Sequence, residues 1–243
     1  MRLNPDWSFW LWTDEDNRQL IAEHYPAFLR VYDGYDHYMK RVDAARIFYL
    51  HRFGGVYMDM DFACLKPFER LPMPPGQALF SYQRRDTRQE TVRTLGGQIA
   101  NNVMGGPPRH PFFAWAVYAL PFQMNRTLLT ATGPNFLSSI ITTYDHEILK
   151  PTNLSKQWVV HRLPTVYPTG WKSHGPNPCG TGTAEDLERC RAHGVANASI
   201  LATFWTQTWK KHFLNGTAFG AEPEEESRDA ESNHTERTHA QLP

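Results

Sequence analysis

The chain has 243 residues, of which 41% are hydrophobic and 21% charged, and its formal net charge is zero. That length supports one domain with a sizeable core, and that composition excludes a fibrous or wholly disordered chain. The neutral balance hides a sorting of charge: from Ala221 onwards seven carboxylates face two arginines, a net of −5, which leaves about +5 on the remainder and suits an anionic substrate.

In chain order, the aromatic run at residues 7–12 (WSFWLW) is expected to form a short strand. Thr13 and Asp16 follow at capping-box spacing, so a helix is expected to reach about His24 and to stop before Pro26. Residues 38–53 read as a second helix that is apolar on nearly every side and therefore buried. Gly54 and Gly55 end it, and residues 56–58 read as a strand that runs into Asp59-Met60-Asp61. Further strands are expected at 78–82 and 98–104, helices at about 111–120 and 134–149, an irregular insertion at 164–194 and a strand at 200–205. This alternation is α/β. Residues 1–220 are expected to form one domain, with residues 221–243 an acidic disordered tail.

Three cysteines (Cys64, Cys179, Cys190) are too few for a disulfide scaffold, and Cys179 and Cys190 leave a disulfide or two free thiols equally open. N-x-S/T sequons at Asn125, Asn153, Asn197, Asn215 and Asn233 point to a lumenal compartment. No apolar run reaches the ~20 residues of a membrane span, so either a lumenal protein of this kind carries its anchor upstream of Met1 or the sequons are accidental.

The chemistry is concentrated around residue 59. If the strand continues through Asp59 and Asp61, their carboxylates leave the backbone on the same side, and two hard oxygen ligands there suit Mg²⁺ or Mn²⁺ completed by water and substrate phosphates. The plainer reading is a solvated turn with two acidic residues. On the preceding helix Asp43 and Arg46 stand at i, i+3 among apolar neighbours, where charge needs a partner. They either pair only with each other or face the carboxylates beyond the helix. His110, before Pro111, is read as a structural helix start.

The segment RVDAARIFYLHRFGGVYMDMD (residues 41–61) resembles the signature of glycosyltransferase family 32, which includes yeast-type α-1,6-mannosyltransferases and inositol phosphorylceramide mannosyltransferases. The same D-x-x-R and D-x-D spacing occurs in the large clostridial glucosylating toxins. NPDWSFWLWTDED (4–16), IANNVMGGPPRHPFF (99–113) and Thr132-Gly133-Pro134 extend the resemblance, which covers about residues 4–210.

The resemblance implies a GT-A fold, Rossmann-like and built for nucleotide-diphospho-sugars, with the strand that ends at Asp59 central in its sheet. It also implies Mn²⁺ or Mg²⁺, retention of anomeric configuration, and a GDP-mannose or UDP-sugar donor. By the same resemblance Asp61 would ligate the metal, Asp59 would contact ribose or a metal-bound water, and Asp43 and Arg46 would hold the transferred sugar. Asn102 would lie near the anomeric carbon, and Thr208 would reach the metal or phosphate. Trp205 and Trp209, read from the residues alone, either stack on a base or sugar or pack in the core. The implied acceptor is a glycan or an inositol phosphorylceramide-type lipid at a Golgi or other secretory membrane, on its lumenal side. No nucleic-acid partner is expected.

Two departures stand out. The family's first strand, of the I-P-K-I-I-H-Q type, is absent ahead of residue 4, and the family's His-x-Trp-x-x-Ser-Trp reads here with Thr203 for the histidine and Thr208 for the serine. A truncated remnant that binds without turnover is therefore a second reading. A phosphatase of the haloacid-dehalogenase type fits less well, because Ala63 stands where that chemistry needs Thr or Val and the Asp43/Arg46 pair would go unexplained.

Overall fold

The computed structural model describes residues 3–71, 73–84, 97–152, 158–161 and 200–203, with 183, 185–186 and 188–189. These all fall in the first of two compact units, Met1–Thr206; the second, Gln207–Pro243, lies outside the described residues, and with it the expected acidic tail, Thr208 and Trp209.

Helix α1 (Asp14–His24) starts at the expected box: the Thr13 side chain accepts from the Asp16 amide, and the Asp16 carboxylate accepts from the Thr13 amide at 2.9 Å. Proline ends it, but the same Pro26 then opens α2 (Pro26–Asp33), where its missing N–H costs nothing at the first helical position. The long α3 (Tyr38–Phe53) buries nine of its residues, Asp43 and Arg46 among them. Gly54 stops it at φ 69°, a conformation open to glycine, and a Cβ there would lie 2.5 Å from the Pro108 nitrogen.

The chain then folds back as β1 (Gly55–Met58), β2 (Phe62–Cys64), β3 (Ala78–Arg84) and β4 (Gln98–Gly106). The apolar α4 (Pro111–Ala119) follows, continued by a 3₁₀ turn (Leu120–Gln123), then α5 (Leu128–Ala131) and α6 (Pro134–Tyr144), which a π-turn (Asp145–Leu149) extends. Strands β5 (Trp158–His161) and β6 (Leu201–Thr203) come last in the chain. A four-stranded mixed sheet has the order β1-β4-β3-β5, with only β3 and β5 parallel, and β2 pairs with β6 in a separate ribbon. Helices and an open sheet make the expected α/β class. The main core joins α3, α4 and α6 to the sheet through Phe48, Phe80, Phe112, Phe113 and Phe136, all at most 1% exposed.

Three expectations need correction. Residues 7–12 form no strand: among the described residues no strand lies beside them to share a ladder, and an unpaired strand in water has little to hold it. The aromatic rings hold the segment instead, Trp7 packing edge-on to Phe68 and Trp12 stacking on Tyr49 at 4.5 Å. The strand before Asp59 is an edge of the described sheet and pairs only with β4. Finally, the strand stops at Met58, so Asp59-Met60-Asp61 is the turn into β2, with Met60 86% exposed at its tip. Helix α2 and strands β2 and β5 were not anticipated.

Candidate active site

Every group around residue 59 is set by the end of β1 and the face of α3 that packs on it. Arg46 is 4% exposed, and its guanidinium bridges two carboxylates: Nη2 meets Asp43 Oδ1 at 2.8 Å and Nη1 meets Asp59 Oδ1 at 3.1 Å. Of the two alternatives for the helix pair, the second holds: Arg46 pairs with Asp43 one turn back but not only with it, since it also faces the D-x-D turn. Arg46 Nη1 also donates to the Asn101 carbonyl at 2.7 Å, and its guanidinium lies 4.8 Å from the centre of the Tyr57 ring.

Tyr57 and Asn101 went unnamed in the sequence. Tyr57 donates its phenol proton to Asp59 Oδ1 at 2.8 Å, and Asn101 Nδ2 donates to Asp43 Oδ1 at 3.1 Å. A signal for Tyr57 was present: it stands two residues before Asp59, on the same side of an alternating strand. None existed for Asn101. Phe80 of β3 pairs with Met104 while Ser81 pairs with Ala100, so residues 101–103 bulge from that ladder and break its alternation. The bulge sends the Asn101 side chain to Asp43, whereas Asn102 meets the turn through its main chain, accepting from the Asp59 amide at 2.9 Å. The Asn102 side chain is buried, and its Oδ1 has no hydrogen-bond partner among the described residues.

The electrostatics follow from burial. Burial pushes the Asp43 carboxyl up to about 6, Arg46 pulls it down and Asp59 pushes it further up. Asp59 is raised chiefly by burial, against Arg46 and the Tyr57 hydrogen bond, with Asp61 adding to the rise. Burial opposes the Arg46 charge, but Tyr57, Asp43 and Asp59 together outweigh it, so the guanidinium stays charged. Tyr57 is held well above the ordinary phenol range, first by burial, and remains a neutral donor.

Asp43 and Asp59 on the Arg46 guanidinium, with Asp61 beside Asp59 in the turn, carry when ionised two negative charges in excess, which one divalent cation would neutralise. Asp59 and Asp61 offer the hard oxygens such an ion takes. Among the described residues no group of three or more His, Cys, Asp or Glu side chains is arranged to enclose a metal, so the residues fit an open site completed by water and phosphate rather than a closed structural one. The β2–β6 ribbon pairs Phe62, the residue after the D-x-D turn, with Thr203. His110 caps α4, its Nδ1 accepting from the Phe112 amide at 3.1 Å. Cys64 is a free thiol.

Residues 1–78 match the family described as "Glycosyltransferase sugar-binding region containing DXD motif". That match covers about a third of the chain, the stretch that holds Asp43, Arg46, Asp59 and Asp61. Among curated proteins it is similar to "Inositol phosphoceramide mannosyltransferase 3" of Schizosaccharomyces pombe, 38% identical over 57% of this chain and 37% of that one. It is also similar to "Mannosyl phosphorylinositol ceramide synthase SUR1" of Saccharomyces cerevisiae, 34% identical over 71% of this chain and 41% of the relative. "Inositol phosphoceramide mannosyltransferase 1" of S. pombe is 31% identical over 72% of this chain and 50% of its own length. The chain thus spans half or less of the length of these relatives. A solved structure titled "PaToxG Glycosyltransferase" aligns over 56% of this chain and 43% of that chain at 19% identity, with a TM-score of 0.34, too loose a superposition to bear on the fold.

Proposed function

We propose that this chain is a metal-dependent, retaining glycosyltransferase that moves a sugar, in the first instance mannose from GDP-mannose, to an inositol phosphoceramide-type lipid or a glycan. The observation that carries this reading is the Arg46 bridge: a buried cation tied to Asp43 on the helix and to Asp59 of the D-x-D turn, with charge to spare for a further cation. The printed names of the relatives support mannose and the lipid acceptor.

In this reading Asp59 and Asp61 would hold Mn²⁺ or Mg²⁺, which when bound supplies positive charge to the departing diphosphate. Arg46 donates to sugar or phosphate oxygens and, already fixed by two carboxylates and a carbonyl, needs no reorganisation to do so. Asp43 accepts sugar hydroxyls; its Oδ1 is taken by Arg46 and Asn101, while Oδ2 faces Gly133. Asn102 would lie by the anomeric carbon, and Tyr57 fixes the Asp59 carboxylate by donating to it while keeping its own proton. Thr208 would reach the metal or phosphate, and Trp209 would stack on a base or sugar. No side chain is required as a covalent nucleophile. A Golgi or other secretory membrane, lumenal side, is the proposed location; no helix among the described residues is long and apolar enough to cross a bilayer.

A binding remnant without turnover is the second reading, favoured by the open outer edge of β1 among the described residues. Donor hydrolysis with a panel of GDP- and UDP-sugars, with and without Mn²⁺, decides. The enzyme reading expects metal-dependent release of GDP from GDP-mannose. Binding of a nucleotide-sugar without turnover of any donor would support the remnant instead.

A further inference from the structure

Helix α4 (PFFAWAVYA) contains no charged residue, and its only side-chain hydrogen-bonding groups are one indole and one phenol. A helix that is apolar all round belongs in a core, yet only one face of α4 is in one. Phe112, Phe113 and Ala116 are fully buried, while on the other side Tyr118 is 62% exposed and Phe122, in the 3₁₀ turn that follows, is 68% exposed. The two exposed rings lie 5.4 Å apart, and the half-buried Trp115 ring lies 5.7 Å behind Tyr118. Leu129 of α5, 45% exposed, adds to the apolar surface of this region.

We propose that this outer face of α4, with Phe122 and Leu129, seats the protein on a lipid bilayer at the level of the headgroups. Three observations favour lipid over a second copy of the chain or another protein. Two of the three exposed side chains, Tyr118 and Phe122, are aromatic, and Tyr is a residue that settles at the interface between lipid and water, with the ring in the apolar layer and the hydroxyl outside it. No carboxylate occurs anywhere from Thr91 to Tyr144, whereas Arg109 and Arg126 do, and Arg126 is exposed beside Phe122 in sequence, so nothing on this stretch repels an anionic surface.

The third observation is continuity with the site. A side chain on Gly133 would begin 3.0 Å from the Leu129 Cα and 3.4 Å from Asp43 Oδ2, so the apolar surface borders the sugar side of the Asp43–Arg46 pair. Seating this surface brings the proposed sugar pocket to the layer where the hydroxyls of a membrane-embedded acceptor stand. That advantage rests on the lipid-acceptor reading above; the exposed apolar face does not.

Vesicle co-sedimentation of the full chain tests the proposal, using phosphatidylcholine alone and phosphatidylcholine with phosphatidylserine. The parent should partition onto both and more strongly onto the anionic vesicles. Tyr118→Ser with Phe122→Ser, at exposed positions where folding is spared, should lower partitioning at least tenfold at unchanged Tm. Asp61→Asn should bind vesicles like the parent, which separates this inference from the catalytic one: loss of transfer in Asp61→Asn without any vesicle binding by the parent would sink only the membrane surface. Equal partitioning of parent and double variant would overturn the proposal. So would a dimer in solution that the double variant dissolves, since the face would then belong to a second copy. Full N-glycosylation of Asn125 in the native protein would overturn it too, because a glycan three residues after Phe122 would hold the surface off the lipid.

Discussion

Replacing Arg46 with methionine removes the one cation shared by Asp43 and Asp59 while keeping most of the apolar stem. The loss should depend on pH in a way the structure fixes. Asp43 is 5% exposed and its carboxyl in the folded protein is pushed up to about 6, above its ordinary value of 3.8. A carboxyl raised on folding contributes stability that is fully present below the unfolded value and is lost as pH rises through the folded one, here between about pH 4 and pH 6, on the order of 3 kcal/mol in all. Without Arg46 the folded value rises further, because the largest opposing influence is gone. Below pH 6 the Asp43 contribution follows the same slope in parent and variant, and the variant loses the packing, the bond to the Asn101 carbonyl and the ion pair with Asp59. Above pH 6 the parent levels off while the variant keeps falling, by about 1.4 kcal/mol per pH unit. The gap should approach the ~3–5 kcal/mol typical of a broken buried pair once Asp43 is forced to ionise. Urea denaturation from pH 5 to pH 8.5 reads this directly. Adding Asp43→Asn to Arg46→Met should flatten the pH dependence. A gap that stays constant from pH 5 to pH 8.5 would refute the claim that Asp43 titrates against Arg46.

Other outcomes follow from the same geometry. Asp61→Asn should keep the fold, since Asp61 is a partly exposed turn residue, and should lower transfer by at least 10²–10³; circular dichroism and initial rates check the two halves. Gly54→Ala should destabilise the chain by more than about 1–2 kcal/mol, because φ is 69° and the new Cβ would meet the Pro108 backbone at 2.5 Å; denaturant midpoints measure it. Endoglycosidase treatment of the native protein should increase its mobility, and the same shift should persist in Asn125→Gln; no shift together with cytosolic fractionation would remove the lumenal assignment.

The parts of the fold legible in the sequence were those with a local cause. The Thr13/Asp16 box, the apolar stretch ending at Gly54 and the proline at 134 each set an element boundary through neighbours within four residues. The misjudged segment, residues 7–12, has strand composition, but a strand exists only through a partner, and pairing is not written in one segment's residues. The edge position of β1 escaped notice for the same reason.

At the site, the D-x-x-R and D-x-D spacing brought Asp43, Arg46 and Asp59 under suspicion, and these are the residues that touch. Asn101 was illegible because the bulge in β4 is a property of its register against β3, and neither strand states it alone. The convergence of Asp59 and Asp61 was argued from extended geometry, whereas the structure makes their segment a turn.

The most direct test of the account is a calorimetric titration of GDP and of GDP-mannose into parent, Asp61→Asn and Asp43→Asn protein, with Mn²⁺ and with chelator. Parent protein should bind both compounds with Mn²⁺ and neither in chelator, and Asp61→Asn should bind neither under any condition. Asp43→Asn should bind GDP with Mn²⁺ as the parent does, while losing the additional affinity contributed by the sugar. Undiminished GDP binding by the parent in chelator, or by Asp61→Asn, would contradict the claim that the carboxylates of the turn hold a cation against the diphosphate.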